Sequence, residues 1–218
     1  MTTANFRPIY TVEINQLSTS AKAFGDMESL CLRVPFEVHQ DDDVAAVGLA
    51  HVLRLRMAKD YGVGPAEVIE ACHEELSPLY AAMFDPATDV LRPAYAKPSS
   101  FRDIFYIAGL KVAAAHRGHD LGLFTIKRLR DMFGEGCAVM VLRAVPLRPY
   151  DYHKPEALDN NPSLVDRLDS KVYATPFNLD GELAKAKLRA HFEKIGMKRV
   201  GATDFMVFDM LEPHAEPR

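Results

Sequence analysis

A strand-length apolar run that leads through a glycine-bearing turn into an amphipathic helix is the feature that most constrains the fold. Residues 103–112, DIFYIAGLKV, are mostly apolar, as expected of a buried strand. Two glycines lie in the turn that follows, and the next segment places Leu123, Ile126 and Leu129 at helical spacing. This order predicts a sheet covered by helices, and therefore an α/β fold.

The segments after this helix continue the alternation of strands and helices. GEGCAVMVLRAVPL predicts a turn and a second buried strand, and DGELAKAKLRAHFEKIG predicts a helix that ends at Gly196. MKRVGATDFMVFDM predicts two strands with a turn at Gly201 between them. Residues 148–180 are polar and contain prolines, so we interpret them as a long excursion outside the core.

The front half, residues 1–100, has a more variable pattern. Residues 9–15 alternate as a strand does, and LCLRVPFEVH predicts an extended piece interrupted at Pro35. Residues 41–62 predict a helix, because an acidic first turn precedes valines at helical spacing and Gly62 can end it. A second predicted helix begins near Pro65 and is kinked or ended at Pro78.

Composition limits the classes of function. The formal net charge of −4 over 218 residues gives no overall attraction to nucleic acid or to an anionic membrane. The chain begins without the pattern of a signal peptide, and no run approaches the length of a membrane span. We therefore expect a cytoplasmic protein. Its three cysteines lack metal-ligand spacing and are expected to be buried thiols.

The turn before the helix is a basic island in an acidic chain. Arginines, lysines and two histidines surround a single acid, Asp120. A helix N-terminus presents unpaired N–H groups and a partial positive charge, so this turn could bind a pyrophosphate. The alternative is that the glycines only form a tight turn and the arginines are solvated. A metal site at His116, His119 and Asp120 is disfavoured, because no further ligand pair has suitable spacing.

Two motifs resemble those of the GNAT N-acetyltransferase superfamily. The family's motif A, Gln/Arg-x-x-Gly-x-Gly/Ala, is matched in part by residues 117–122, RGHDLG. Residues 191–197, HFEKIGM, resemble the end of motif B, Phe/Leu-Tyr-Glu-Lys-x-Gly-Phe. The motifs occur in the family's order with a predicted strand between them. The resemblance covers residues 103–210, about half of the chain.

The resemblance implies one GNAT-like domain over residues 1–218, with residues 1–100 as a variable helical front half and residues 103–210 as an acetyl-CoA-binding core. Its fold would be a mostly antiparallel mixed sheet, splayed at the fourth and fifth strands and flanked by helices. The chain would transfer an acetyl group from acetyl-CoA to a primary amine by direct attack, without a metal, and could form a homodimer. The implied cofactor-binding residues are Leu110, Lys111, Val112, Arg117, Gly118, His119, Asp120, Leu121 and Gly122.

The sequence departs from the family's pattern at three places. Asp120 replaces a preferred glycine, although aspartate is also a favourable helix N-cap. Phe192 replaces a tyrosine that protonates the leaving thiolate, and IAGLKV lacks an acid that could serve as a base. The catalytic residues therefore stay unassigned, with water or one of several side chains as candidates: Tyr106, His116, His119, Tyr173, His191 or a front-half glutamate. A non-catalytic acyl-CoA-binding module and a purely structural turn are the alternatives.

Overall fold

The structure is a computed structural model that describes residues 23–24, 27–28, 30–40, 43–55, 57, 64–72, 76–96, 103–113, 116–146 and 181–210. Its strands are β1 (Ala23–Phe24), β2 (Met27–Glu28), β3 (Leu30–Gln40), β4 (Asp43–Leu55), β5 (Phe84–Asp85), β6 (Val90–Leu91), β7 (Asp103–Val112), β8 (Cys137–Arg143), β9 (Lys198–Arg199) and β10 (Phe205–Asp209). Its helices are α1 (Pro65–Cys72), α2 (Ser77–Met83), α3 (Leu121–Phe133) and α4 (Gly181–Glu193).

Six strands form a mixed sheet in the order β3-β4-β7-β8-β10-β9. Among the described strands only β7 and β8 pair in parallel, and every other neighbouring pair is antiparallel. A parallel pair needs a crossover, and here α3 makes that connection. The predicted α/β class and the mostly antiparallel sheet flanked by helices are confirmed.

Helices cover both faces of the sheet. On one face, Ile126 and Leu129 of α3 and Phe192 of α4 form a core with Met140 and Leu142 of β8. Successive side chains of β8 point to opposite faces of the sheet, as the pleat of a strand requires. On the other face, side chains of α1 and α2 pack against the alternate residues of the sheet: Ile69, Leu76, Leu79, Tyr106, Val139 and Val141.

The predicted helix over residues 41–62 is wrong, because residues 43–55 form β4. This strand lies between β3 and β7. Ala50 and Val52 are buried in the core beneath α3, whereas Leu55 is buried in the core beneath α1 and α2. A strand buried on both faces has apolar residues at nearly every position, so its pattern resembles that of a buried helix.

The other front-half predictions have mixed outcomes. Pro35 does not interrupt the extended piece, because β3 runs through it and pairs Pro35 with Leu49. A proline is tolerated there because β3 is an edge strand of the described sheet. The helix after Pro65 is α1, which ends at Cys72, and Pro78 lies in the first turn of α2, so the proline begins a helix instead of kinking or ending one. Residues 9–15 and 148–180 lie outside the described residues.

The predicted helices and strands of residues 103–210 are confirmed wherever the structure describes them. The predicted strand DIFYIAGLKV is β7, and the helix after it is α3. The turn at Gly201 separates β9 from β10. Gly196 has a φ of 87°, a backbone conformation that glycine adopts without strain, and it follows the end of α4.

Candidate functional site

The parallel ladder between β7 and β8 ends before β7 does. Its last paired residues are Ile107 and Leu142, whereas the ladder between β7 and β4 continues to Val112. Within the part of the chain that the structure describes, residues 109–112 are therefore paired with β4 alone. The parallel ladder covers the first half of β7 and all of β8 except its last residue, Arg143, so the end of β7 extends beyond β8.

A β-bulge lies where the pairing of β7 with β8 ends. Val52 of β4 pairs with Ile107 and His51 pairs with Gly109, so Ala108 is an extra residue on β7. An extra residue bends its strand and increases the local twist. The bulge thus redirects the end of β7 at the position where its pairing with β8 stops.

The turn after β7 uses two left-handed backbone conformations. Gly118 has a φ of 86° and Asp120 has a φ of 54°. Glycine adopts such angles readily, and aspartate tolerates them better than most other residues do. Asp120 occupies the place where the family resemblance expects a glycine. The aspartate therefore carries a backbone conformation that a glycine would adopt at lower cost.

Arg117 fastens the turn to the strand. Its Nε donates a hydrogen bond to the carbonyl oxygen of Val112 at 3.0 Å, and the amide of His116 donates to the carbonyl oxygen of Ala113 at 2.9 Å. These two bonds fold the chain back on the end of β7. Arg117 is half-buried, whereas Gly118, His119 and Asp120 are exposed.

Asp120 is the N-cap residue of α3, but its side chain accepts no capping hydrogen bond. Its carbonyl oxygen accepts the first helical bond, from the amide of Phe124 at 3.0 Å. The alternative in which the Asp120 carboxylate caps the helix is therefore wrong. The amides in the first turn of α3 receive no help from this carboxylate.

The Asp120 carboxylate instead faces two basic groups at the end of α4. Its Oδ1 lies 3.8 Å from Nδ1 of His191 and 3.8 Å from Nζ of Lys194. Burial lowers the pKa of His191, the charge of Lys194 lowers it further, and Asp120 opposes both effects. Because these side chains are substantially exposed, the ion contacts contribute little to folding. Their role is to set the local charge.

Gly122 permits close packing between α3 and β7. A Cβ atom at Gly122 would lie 3.4 Å from Cδ2 of Leu110 and 4.0 Å from Cγ2 of Val112. Alanine would thus just fit, whereas the branches of a larger side chain would meet Leu110. The first turn of α3 therefore rests on the end of β7, beside the position where β7 leaves β8.

The remaining predicted binding residues divide by exposure. Leu110 packs at the margin of the core beneath α3, and Leu121 is buried with only 4 % of its surface exposed. Lys111 is also buried, at 6 % exposure, which is unusual for a lysine. The structure therefore brings the predicted residues together at one end of β7, while burial limits Leu121 to contributing backbone atoms to any ligand contact.

The catalytic candidates are scattered. Tyr106 is 2 % exposed and belongs to the core beneath α1 and α2. His116 and His119 lie on the turn, and His191 lies close to it. Glu67 is exposed on α1, whereas Tyr173 and the side chains of the other front-half glutamates lie outside the described residues.

Phe192, where the resemblance expects a tyrosine, is a core residue at 9 % exposure and has no group that could donate a proton. Tyr106 is too deeply buried for a role in an exposed turn. His191 is thus the described candidate that the fold brings to the turn from another element.

Sequence reasoning missed a second polar cluster, in a cleft beside α4. The basic residues Lys185 and Arg189 line it together with Arg143 and Arg199. The first two are four residues apart on α4, a spacing that places them on one face of a helix. This spacing was the available signal, but the partner residues come from β8 and β9, so only the tertiary structure shows the cluster.

Comparison with known proteins finds no matching family model, no matching curated protein and no matching solved structure. Within the described helices, none combines the length and the apolar character needed to cross a membrane. Among all the residues that the structure describes, no three His, Cys, Asp or Glu side chains form a group that could hold a metal ion.

Proposed function

We propose that the chain is a GNAT-type N-acetyltransferase that transfers an acetyl group from acetyl-CoA to a primary amine. The observation that carries the proposal is the end of the β7–β8 ladder at Ile107 and Leu142, next to the glycine-bearing turn that opens α3. Residues 109–112 of β7 extend past the last pair with β8, and the helix start offers amide donors for a diphosphate.

The proposed ligand position follows from these groups. The diphosphate of acetyl-CoA would lie at the amides of residues 117–122, and its pantetheine arm would follow residues 110–112. Gly118 adds no side chain to the exposed turn, and Arg117 fixes the turn against β7. Lys194 supplies a positive charge beside Asp120 and reduces the repulsion that the carboxylate would exert on a phosphate.

The chemistry needs orientation more than a dedicated catalytic side chain. A neutral amine attacks the thioester carbonyl carbon, the C–S bond breaks, the nitrogen loses one proton and the thiolate of CoA takes one up. A backbone N–H near Val112 would stabilise the negative oxygen that forms on the way. Since Phe192 cannot donate a proton, we assign the proton transfers to water. Holding the two reactants together can supply a large share of the rate.

A second function has one specific observation in its favour. Phe192 is packed into the core, and residues 108–112 contain no acid, so both proton-transfer groups known from the resemblance are missing. A module that binds acyl-CoA without transferring the acyl group would need neither. The two functions share the binding site and differ only in turnover.

One experiment separates these functions. Thermal unfolding is recorded with acetyl-CoA, and released CoA thiol is then measured across a panel of primary amines. The transferase predicts a higher melting temperature and amine-dependent thiol release. Ligand at 100 times its Kd should add about 2.7 kcal/mol to the free energy of unfolding. Stabilisation without thiol release supports the binding module, and no stabilisation at millimolar ligand contradicts both.

A further inference from the structure

An open cleft of about 610 Å³ lies between the end of β8, the start of β10 and α4. Its volume lies within the usual range for small-molecule sites, roughly 300–1,000 Å³. Six charged residues line it: Arg143, Glu182, Lys185, Arg189, Arg199 and Asp204. Four of them are basic and two are acidic, so the cleft has an excess of positive charge in a chain whose net charge is −4.

Lys185 offsets much of the acidic charge. Its Nζ lies 2.9 Å from Oδ2 of Asp204 and 3.0 Å from Oε1 of Glu182. The hydrogen bond to Asp204, together with that to Glu182, raises the pKa of Lys185, so it stays protonated in this arrangement. The two carboxylates are thus held by the Lys185 ammonium group, and their contacts with Arg189 are longer.

Arg189 has long ion contacts. Its guanidinium lies 3.8 Å from Oε2 of Glu182 and 3.9 Å from Oδ1 of Asp204, beyond hydrogen-bond distance. Its Nε is buried and has no hydrogen-bond partner within the described ranges. A buried donor without an acceptor is costly, so Arg189 is poorly compensated in this arrangement.

Arg199 is oriented by the backbone of the β9–β10 turn. Its Nε donates to the carbonyl oxygen of Thr203 at 2.7 Å, and a terminal nitrogen donates to that of Ala202 at 3.0 Å. The hydroxyl of Thr203 also stabilises this turn, because it donates a hydrogen bond to the carbonyl oxygen of Val200 at 2.6 Å. These acceptors are neutral, so they fix the position of Arg199 without cancelling its charge.

We propose that this cleft binds the carboxylate group of the amine acceptor. The carboxylate site is inferred from the cleft itself, and only the identification of its ligand as the acetyl acceptor rests on the proposed function. Two guanidinium groups can each bind a carboxylate through paired N–H donors. A phosphate dianion is disfavoured, because Glu182 and Asp204 would repel a doubly charged group more strongly. The acceptor is then a small molecule that carries both a primary amine and a carboxylate.

The position of the cleft agrees with this assignment. Arg143, which lines it, directly follows Leu142, the last residue of β8 that pairs with β7. Because β7 and β8 are parallel, the cleft opens at the same end of the sheet as the end of β7 that extends beyond β8. A ligand whose carboxylate is held at the cleft would extend its other end along the carboxyl ends of β7 and β8.

The binding test uses acetate as the probe, in the absence of CoA. Amide NMR of the labelled full chain is followed while acetate replaces chloride at constant ionic strength. We expect saturable shifts at Ala202, Thr203 and Asp204, and acetate binding weaker by roughly tenfold in Arg189→Gln and Arg199→Gln, as loss of a charge-assisted bond implies. Lys187→Gln, an exposed charge change on α4, is the matched control and should bind acetate as the wild type does.

Arg199→Gln keeps the test informative if Arg189→Gln unfolds, because the Arg199 side chain is exposed. Absent acetate shifts, shifts equally reduced by Lys187→Gln, or tighter binding of phosphate than of acetate would each overturn the proposal. A second arm compares glycine with glycinamide as acetyl acceptors. Acetate binding without any acetyl transfer would contradict the proposed function and leave the carboxylate site standing, whereas preferred transfer to glycinamide would contradict the carboxylate site.

Discussion

Oδ1 of Asp120 lies 3.8 Å from Nζ of Lys194, which joins the residue before α3 to the residue after α4. The contact brings the two motifs of the family resemblance together in space, although they are far apart in the sequence. It also couples the charge of the turn to α4. The first predictions concern this turn.

Replacing Asp120 should strengthen CoA binding. Asp120→Asn removes the negative charge and leaves Lys194 available to a phosphate, so we expect affinity to rise by a factor of a few. Asp120→Gly should gain as much, and its stability should not fall, because glycine adopts a φ of 54° without strain. Calorimetry at low and high salt measures both variants, and the gain should shrink as salt rises. Weaker CoA binding by Asp120→Asn at low salt would reverse this interpretation.

Gly122 should tolerate one methyl group and no more. Gly122→Ala places its Cβ 3.4 Å from a mobile atom of Leu110, so stability and CoA affinity should change little. Gly122→Val should lower the free energy of unfolding by about 1–3 kcal/mol, because its branches overpack the contact between α3 and β7. Urea unfolding and calorimetry with CoA measure the pair. If valine is accepted as readily as alanine, the close contact is not required.

Arg117 should matter for the turn even without ligand. Arg117→Ala removes the bond to the carbonyl oxygen of Val112, and loss of one such charge-assisted bond costs about 1.5–3 kcal/mol when the site is buried. Because Arg117 is half-buried, we expect the lower part of this range. Arg128→Ala, an exposed arginine on α3, is the control and should stay within about 0.5 kcal/mol of the wild type. Equal urea midpoints for the two variants would contradict the anchoring role.

Stability should fall as pH falls below 6.5, the ordinary pKa of histidine, in part through His191. Its pKa is lowered in the folded chain, so the unfolded chain binds the proton more readily in that range. Above pH 6.5 both states are neutral at this residue and the effect disappears. His191→Gln should make the free energy of unfolding depend less on pH below pH 6.5. His119→Gln, on the exposed turn, is the comparison, and a slope that His191→Gln leaves unchanged would contradict the assignment.

The sequence predicts the fold best where each element has one buried face. The stripe of Leu123, Ile126 and Leu129 is a one-sided pattern, and α3 forms as predicted. β4 fails because both of its faces are buried and its valines happen to fall at helical spacing. Its β-branched residues favour a strand, and Gly48 in its middle disfavours a helix.

The candidate site divides in the same way. Local chemistry is visible in the sequence: glycines, basic residues and a helix start predict the turn at residues 117–122. The ion contacts of Asp120 with α4 and the arginines of the cleft are tertiary relationships that no local pattern specifies. The left-handed backbone at Asp120 is likewise a property of the folded turn that no local pattern specifies.

Titration of acetyl-CoA into the labelled full chain, followed by amide NMR, tests the central claim most directly. We predict saturable shifts at residues 117–122 and 108–112, because diphosphate and pantetheine would contact these backbone groups. The shifts should weaken in Gly122→Val and persist in Gly122→Ala. Saturable binding that shifts other amides while leaving residues 117–122 unchanged, or no binding at millimolar acetyl-CoA, would contradict it.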